Sequence, residues 1–189
     1  MTSKKDLLPD WIERARASWS WRGGARPPFA QKPAENQESV WDYPRPPVLV
    51  ADTRHVLVKL GDVTIVDTRS AQRLLETSHP PTWYLPRKDT DMKYLERTSG
   101  SSFCEWKGSA AYFDVVVGGA RLSRAAWAYP DPIEAMYMGL ADSVAFYATN
   151  LACFVNGERV LPQPGGFYGG WITSELCGPF KGEAGTGGW

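Results

Sequence analysis

"SSFCEWKGSAAYFDVVVGGARLSRAAWAY", residues 101–129, decides the fold. Two long runs rich in aromatic and β-branched residues meet at Gly118-Gly119, and the pattern predicts a hairpin over residues 103–117 and 120–129. The same punctuation recurs on either side. Residues 55–60 and 63–66 flank Gly61-Asp62, which reads as a tight turn. Residues 143–147 and 151–155 read as strands, and Asn156-Gly157, the strongest two-residue turn signal in the chain, leads to a return over 158–161. Residues 48–51 and 83–85 add short strands. Repeated strand-turn-strand units predict a mainly β fold, a curled antiparallel sheet with short helices, rather than alternating β and α elements.

Helical signals are short. Asp10 to Glu13 has the spacing of a capping box and predicts a helix to about Ser18, with Trp11, Ala15 and Trp19 on one face. Thr68 or Ser70 is placed to cap a turn or two of helix that packs Ala71, Leu74 and Leu75 inward, and residues 89–95 read as another helical turn. Gly23, Gly24, Pro27 and Pro28 end the first helix, and the polar run 31–39 reads as an exposed connection. The chain therefore divides into an extension, residues 1–39, and one β domain, residues 40–189, including the tail. That tail is dense in glycine, yet Phe167, Tyr168, Trp171, Phe180 and Trp189 give it anchors, so it is expected to wrap the body.

At 189 residues the chain can build one sizeable core. Lys and Arg total 21 and Asp and Glu total 21, so no global field draws nucleic acid or an anionic membrane. Cys104, Cys153 and Cys177 are odd in number and widely spaced, which argues against a disulfide framework and for a reducing, cytoplasmic setting. The first residues lack an apolar export segment, and no run approaches a membrane span. Aromatic content does not decide between a monomer and a homodimer.

Residues 104–107 carry a thiol, a carboxylate, an indole and an ammonium in succession. Cys104 is a nucleophile if Lys107 or another cation lowers its pKa, and otherwise an ordinary buried cysteine. His55 and His79 are the only histidines available to pair with it. On a regular strand Glu105 and Lys107 would share one side, with Cys104 and Trp106 on the other. "SHPPTWYLPRKD" adds Trp83, Tyr84, Arg87 and Asp89 beside stiffening prolines, and the Arg87 guanidinium suits a carboxylate or phosphate. Glu76 is a further acid or base candidate. "GGFYGGW", residues 165–171, lacks the spacing of a nucleotide loop, and no metal-ligand spacing occurs, so no metal or cofactor is assigned.

The joint order of "ESVWDYPRPP", "TSHPPTWYLPRKD", "FCEWKGSAAYFDV", "AWAYPDP", "VAFYATN" and "GGFYGGW" resembles the DUF427 family of bacteria and fungi, and the terminal "GPFKGEAGTGGW" resembles its longer members. The resemblance implies a β-tent or Mss4-like fold and a polar site drawn from Glu76, Tyr84, Arg87, Asp89, Cys104, Trp106, Lys107 and Tyr112. It implies no activity, because the family is one of unknown function. Some β-tent relatives hold zinc through paired C-x-x-C motifs or reduce methionine sulfoxide, and this chain lacks those pairs.

The reading that follows is a binder of a small polar or anionic metabolite. Arg87 and Lys107 neutralise its charge, and Trp83, Tyr84, Trp106 and Tyr112 wall its apolar part. Glu76, Asp89, Cys104 and Lys107 are the groups able to do chemistry, so an enzyme is the first alternative and a structural or protein-interaction domain the second.

Overall fold

The computed structural model describes residues 9–189. Helix α1 (Asp10–Ala17) precedes the strands β1 (Glu38–Ser39), β2 (Val48–Asp52), β3 (Val56–Leu60), β4 (Val63–Thr68), β5 (Ala71–Leu75), β6 (Thr82–Pro86) and β7 (Leu95–Cys104). There follow β8 (Gly108–Val117), β9 (Ala120–Ala128), β10 (Ser143–Phe146), β11 (Ala152–Val155), β12 (Glu158–Arg159), β13 (Leu161–Pro162), β14 (Trp171–Ile172) and β15 (Leu176–Cys177). Short 3-10 turns occupy Val40–Asp42, Arg87–Asp89, Met92–Tyr94 and Ala135–Leu140. The protein is mainly β, and no helix among the described residues is long and apolar enough to cross a membrane.

A seven-stranded antiparallel sheet runs in the order β2-β5-β6-β10-β9-β8-β7, and a four-stranded sheet in the order β12-β11-β3-β4. Successive side chains on a strand point to opposite faces, and the larger sheet uses that alternation on both sides. One face carries Trp83 and Leu85 of β6, Ala111, Phe113 and Val115 of β8, Ala126 and Ala128 of β9, and Val144 and Phe146 of β10. These pack with Val56, Val58, Ile65 and Val66 of the smaller sheet into one apolar core. Trp171 closes it, stacked on Trp83 with ring centroids 6.0 Å apart and donating Nε1 to the Phe146 carbonyl at 2.8 Å. Each large side chain so buried contributes roughly 1.5–3 kcal/mol.

The opposite face carries Leu74, Tyr84, Ala110, Tyr112, Trp127 and Ala145, joined by Trp106, Tyr129, Tyr137 and Leu140. This second layer is covered by chain rather than by a sheet. A third cluster ties the covering segments together: Trp41 lies edge-on to Trp21, Phe29 and Trp189 at 5.1–6.1 Å. β1 pairs in parallel with β15, so the start of the body and its tail share a ladder.

Several local expectations are corrected. Residues 71–75 form strand β5 rather than a helix. Ala71 belongs to the apolar core and Leu74 to the opposite layer, so burial on both faces imitates a helical i, i+3 spacing. Helix α1 has Pro9 at its N-cap and no side-chain cap, and Glu13 pairs with Arg16 instead of reaching back. Its buried residue is Ile12, whereas Trp11 is exposed and packs edge-on against Phe103. Glu105, Trp106 and Lys107 form the turn between β7 and β8, so Glu105 and Lys107 do not lie along one strand. The Asn156-Gly157 turn forms as read, both residues having positive φ.

The tail crosses itself through two glycines. A Cβ on Gly165, whose φ is +82°, would stand 2.0 Å from the Gly182 carbonyl oxygen, and a Cβ on Gly182 would meet the Pro164 carbonyl oxygen at 2.0 Å. Gly165→Ala is therefore expected to lower unfolding free energy by roughly 1–3 kcal/mol in urea titrations. Gly187→Ala, with nothing within 4 Å of its Cβ, should change it by no more than about 0.5 kcal/mol.

Candidate functional site

The second face of the large sheet is the floor of a cavity of about 170 Å³. Strand alternation supplies most of it: Leu74 and then Glu76 from β5 onward, Thr82 and Tyr84 from β6, Ser102 and Cys104 from β7, Tyr112 from β8, Trp127 from β9, and Tyr147 just after β10. The β7–β8 turn adds Glu105, Trp106 and Lys107 at one side. Rings pack in pairs across the floor, Trp127 with Tyr147 at 4.5 Å and Tyr84 with Tyr129 at 6.4 Å. Gly169 approaches so closely that a Cβ there would stand 2.0 Å from the Trp127 ring, which explains one glycine of the "GGFYGGW" run without any ligand.

The cover comes from both ends of the described chain. Trp19 lines the cavity and donates Nε1 to Glu105 Oε1 at 2.8 Å, while Arg16 donates to the Glu105 carbonyl at 2.8 Å and to Glu134 Oε1 at 2.7 Å. The Trp19 ring in turn receives the Arg45 guanidinium and the Lys181 ammonium, each 4.4 Å from its centroid. The Arg45 side chain is fully buried and binds Glu76 at 3.1 Å and main-chain oxygens of Trp21, Thr77 and Trp189. Lys181 donates to main-chain oxygens of Thr186, Gly187 and Trp189 at 2.6–3.1 Å. Burial, with Arg45 adding to it, lowers Lys181 to about 8. Phe167, Tyr168 and Gly169 complete the lining.

Hydrogen bonding fixes the state of His79. Gln163 accepts the Gly170 N–H at Oε1, so its amide nitrogen is the donor, and that nitrogen bonds both the Lys181 carbonyl at 2.7 Å and His79 Nδ1 at 3.0 Å. Nδ1 is then the acceptor, and the neutral ring carries its proton on Nε2. Burial, reinforced by Arg45, Lys181 and Lys107, holds the imidazole well below its usual pKa and keeps it neutral. His79 therefore brings a hydrogen-bond donor to the cavity wall.

Lys107 is the charged group of the floor. It is buried, its ammonium lies 5.4 Å from the Tyr129 ring centroid, and among the described residues no hydrogen bond or ion pair engages it. Burial acts to lower it, whereas Cys104, Tyr129 and Tyr84 once ionised, and the Glu76 carboxylate, act to raise it, and the balance lies well above the usual lysine range. The groups around it stay protonated: burial raises the Cys104 thiol, pushes Tyr84 up to about 12, and holds Tyr129 well above its ordinary value. Both lining carboxylates are engaged, Glu76 by Arg45 and Glu105 by Trp19. The indole N–H of Trp106 is buried and has no acceptor among the described residues.

Of the residues singled out from sequence, Glu76, Tyr84, Cys104, Trp106, Lys107 and Tyr112 line the cavity together. Trp83, Arg87 and Asp89 do not. Trp83 lies on the other face of β6, in the apolar core. Arg87 has its guanidinium 6.0 Å from the centroid of Phe113, a residue of that same core face, and Asp89 accepts a hydrogen bond from Thr68 at 2.6 Å. The clamp of Arg87 with Lys107 is accordingly corrected. Trp127, Tyr129, Tyr147, Tyr168 and Trp19 also line the cavity, although the sequence offers Trp19 only as a helix-face residue and Tyr168 only as an anchor of the tail. Strand parity with Tyr112 was the available signal for Trp127, whereas nothing local marks Trp19 or Tyr168. Among the described residues no group of three His, Cys, Asp or Glu side chains could hold a metal ion.

The raised Cys104 thiol should resist iodoacetamide at pH 7 in the folded protein and react only once urea unfolds it, as read by peptide mass spectrometry. His79 gives a pH test. Its pKa is depressed in the fold, so below about 6.5 the unfolded chain takes up a proton that the native site refuses, and stability falls with falling pH. The stability advantage of the wild type over His79→Asn should therefore shrink between pH 7 and pH 5 in urea titrations.

A family model described as a domain of unknown function, DUF427, matches residues 48–157, and no curated protein matches the chain. The matched segment begins at β2 and ends at the Asn156-Gly157 turn, so it contains every strand of the seven-stranded sheet and most of the cavity floor. Spanning more than half of the sequence, the match shows that this chain belongs to the DUF427 family.

Proposed function

We propose that the protein binds a small anionic metabolite with a planar, ring-sized body in the cavity over the large sheet. The observation that carries this reading is Lys107: a buried ammonium whose pKa lies well above the usual lysine range and which forms no ion pair among the described residues, in a space whose two carboxylates are each engaged by another side chain. A buried charge is costly unless paired, so a ligand oxyanion would complete the site. The neutral His79 Nε2–H offers a second donor. Size agrees, since a cavity of about 150 Å³ is enough to hold benzene, and this one is about 170 Å³ with Tyr84, Tyr112, Trp127 and Tyr129 as walls.

Binding rather than turnover is the better-supported half of this reading. Cys104 is protonated and His79 has its proton on the nitrogen not held by Gln163, so neither is poised as nucleophile or base. In the same reading residues 1–39 are an extension whose Trp19 roofs a body starting at residue 40. A curled β-tent sheet belongs to the same reading and rests on the family resemblance alone. Three free cysteines fit a reducing cytoplasm.

Titration of intrinsic tryptophan fluorescence with benzoate tests the site, because Trp19, Trp106 and Trp127 line it. Saturable quenching is expected, and Lys107→Met should weaken it by about 2 kcal/mol or more. Equal affinity in the wild type and Lys107→Met would remove the reading.

A further inference from the structure

A second hollow of about 450 Å³ adjoins the first, and Tyr112, Tyr147 and Phe167 line both. Its remaining lining is Ser123, Arg124, Ala125, Thr149, Asn150 and Gly166, so it is rich in hydrogen-bonding groups and Arg124 is its charged residue. Arg124 is placed there by a local distortion of the sheet. Between the pairs Phe113↔Ala126 and Val115↔Leu122, the single residue Asp114 on β8 stands opposite Ser123, Arg124 and Ala125 on β9. Such a bulge re-aims a side chain. Arg124 sits at φ +48°, which is uncommon for a residue with a side chain, and its N–H is tethered to Asp114 Oδ1 at 2.9 Å.

The same tether decides the charge balance. Asp114 spends one oxygen on the Arg124 backbone and the other on Arg121, at 2.7 Å, so it forms no ion pair with the Arg124 guanidinium. That guanidinium lies 3.9 Å from the centroid of Tyr112, whose hydroxyl bonds Ser102 at 2.7 Å within the inner cavity. Tyr112 is thus the partition between two cations, Lys107 within and Arg124 without. Tyr147 stands in the same shared wall and donates its hydroxyl to the Phe167 carbonyl at 3.1 Å, and Phe167 itself is 66% exposed.

We infer that the two hollows are halves of one elongated site, in which a ligand seats its anionic ring against Lys107 and extends past Tyr112 to place a terminal carboxylate or phosphate on the Arg124 fork. A planar guanidinium that already rests on an aromatic ring presents paired donors to such an oxyanion at little ordering cost. The ligand class is therefore a small aromatic acid carrying a second oxyanion on a flexible arm. This rests on the inner site binding an aromatic anion, and the test separates the two claims.

Four probes are titrated by tryptophan fluorescence: benzoate, para-butylbenzoate, and benzoate bearing a para-linked arm of similar length that ends in carboxylate or in phosphate. An oxyanion-ended arm is expected to bind about tenfold or more tighter than the butyl arm, and whichever terminus gains more names the group. Arg124→Gln should erase that gain while leaving benzoate affinity unchanged, the unchanged value also reporting an intact fold. Equal affinity of the charged and butyl arms, or a gain that survives in Arg124→Gln, overturns the outer half alone. Failure of benzoate and every arm to bind overturns the inner site and this inference with it.

Discussion

Strict alternation along the central strands is the constraint on which the rest depends. β6, β8, β9 and β10 each send one set of side chains to an apolar core and the interleaved set to an aromatic layer that holds polar groups. A strand cannot shift by one residue without exchanging the two sets. The core face holds the sheet in place, packed against the smaller sheet and capped by Trp171. With that face fixed, the other can afford a cavity and a buried ammonium, which would otherwise destabilise so small a domain.

Charge is handled in the cover with the same separation of roles. Arg45 and Lys181 are buried and fully committed, to Glu76 and to main-chain oxygens, and both lie against Trp19. They hold chain segments that have no sheet to join. Lys107 has no such duty among the described residues, and that difference, more than burial or pKa alone, marks it as the group a ligand would meet. Arg87 shows the converse: a loop arginine of suitable chemistry that the fold directs elsewhere.

Much of the fold was legible because its turns are written locally. Gly118-Gly119 and Asn156-Gly157 give hairpin signals that need no tertiary knowledge, and the strands beside them follow. Residues 71–75 imitate a helix because a strand buried on both faces loses its polar alternation, and an apolar pair three apart then looks helical. The site was legible in part for a related reason. Glu76, Tyr84, Cys104, Trp106, Lys107 and Tyr112 stand out by chemistry and do meet. Trp83 stands out as strongly, but its neighbour Tyr84 points the other way, so only one of the two can face the cavity. Trp19 and Tyr168 could not have been found, because contacts across most of the chain's length place them, and no spacing records those contacts.

The family match stops at residue 157, whereas Trp19, Phe167, Tyr168 and Gly169, which roof the cavity, lie outside it. Floor and roof thus come from different stretches of one chain, the floor largely from the matched segment and the roof from its flanks. Lineages that keep the sheet while their flanking segments drift would retain the same charged platform under differently shaped ceilings. A change confined to an exposed roof side chain such as Phe167 would then reshape the ceiling without touching the strands that carry the core.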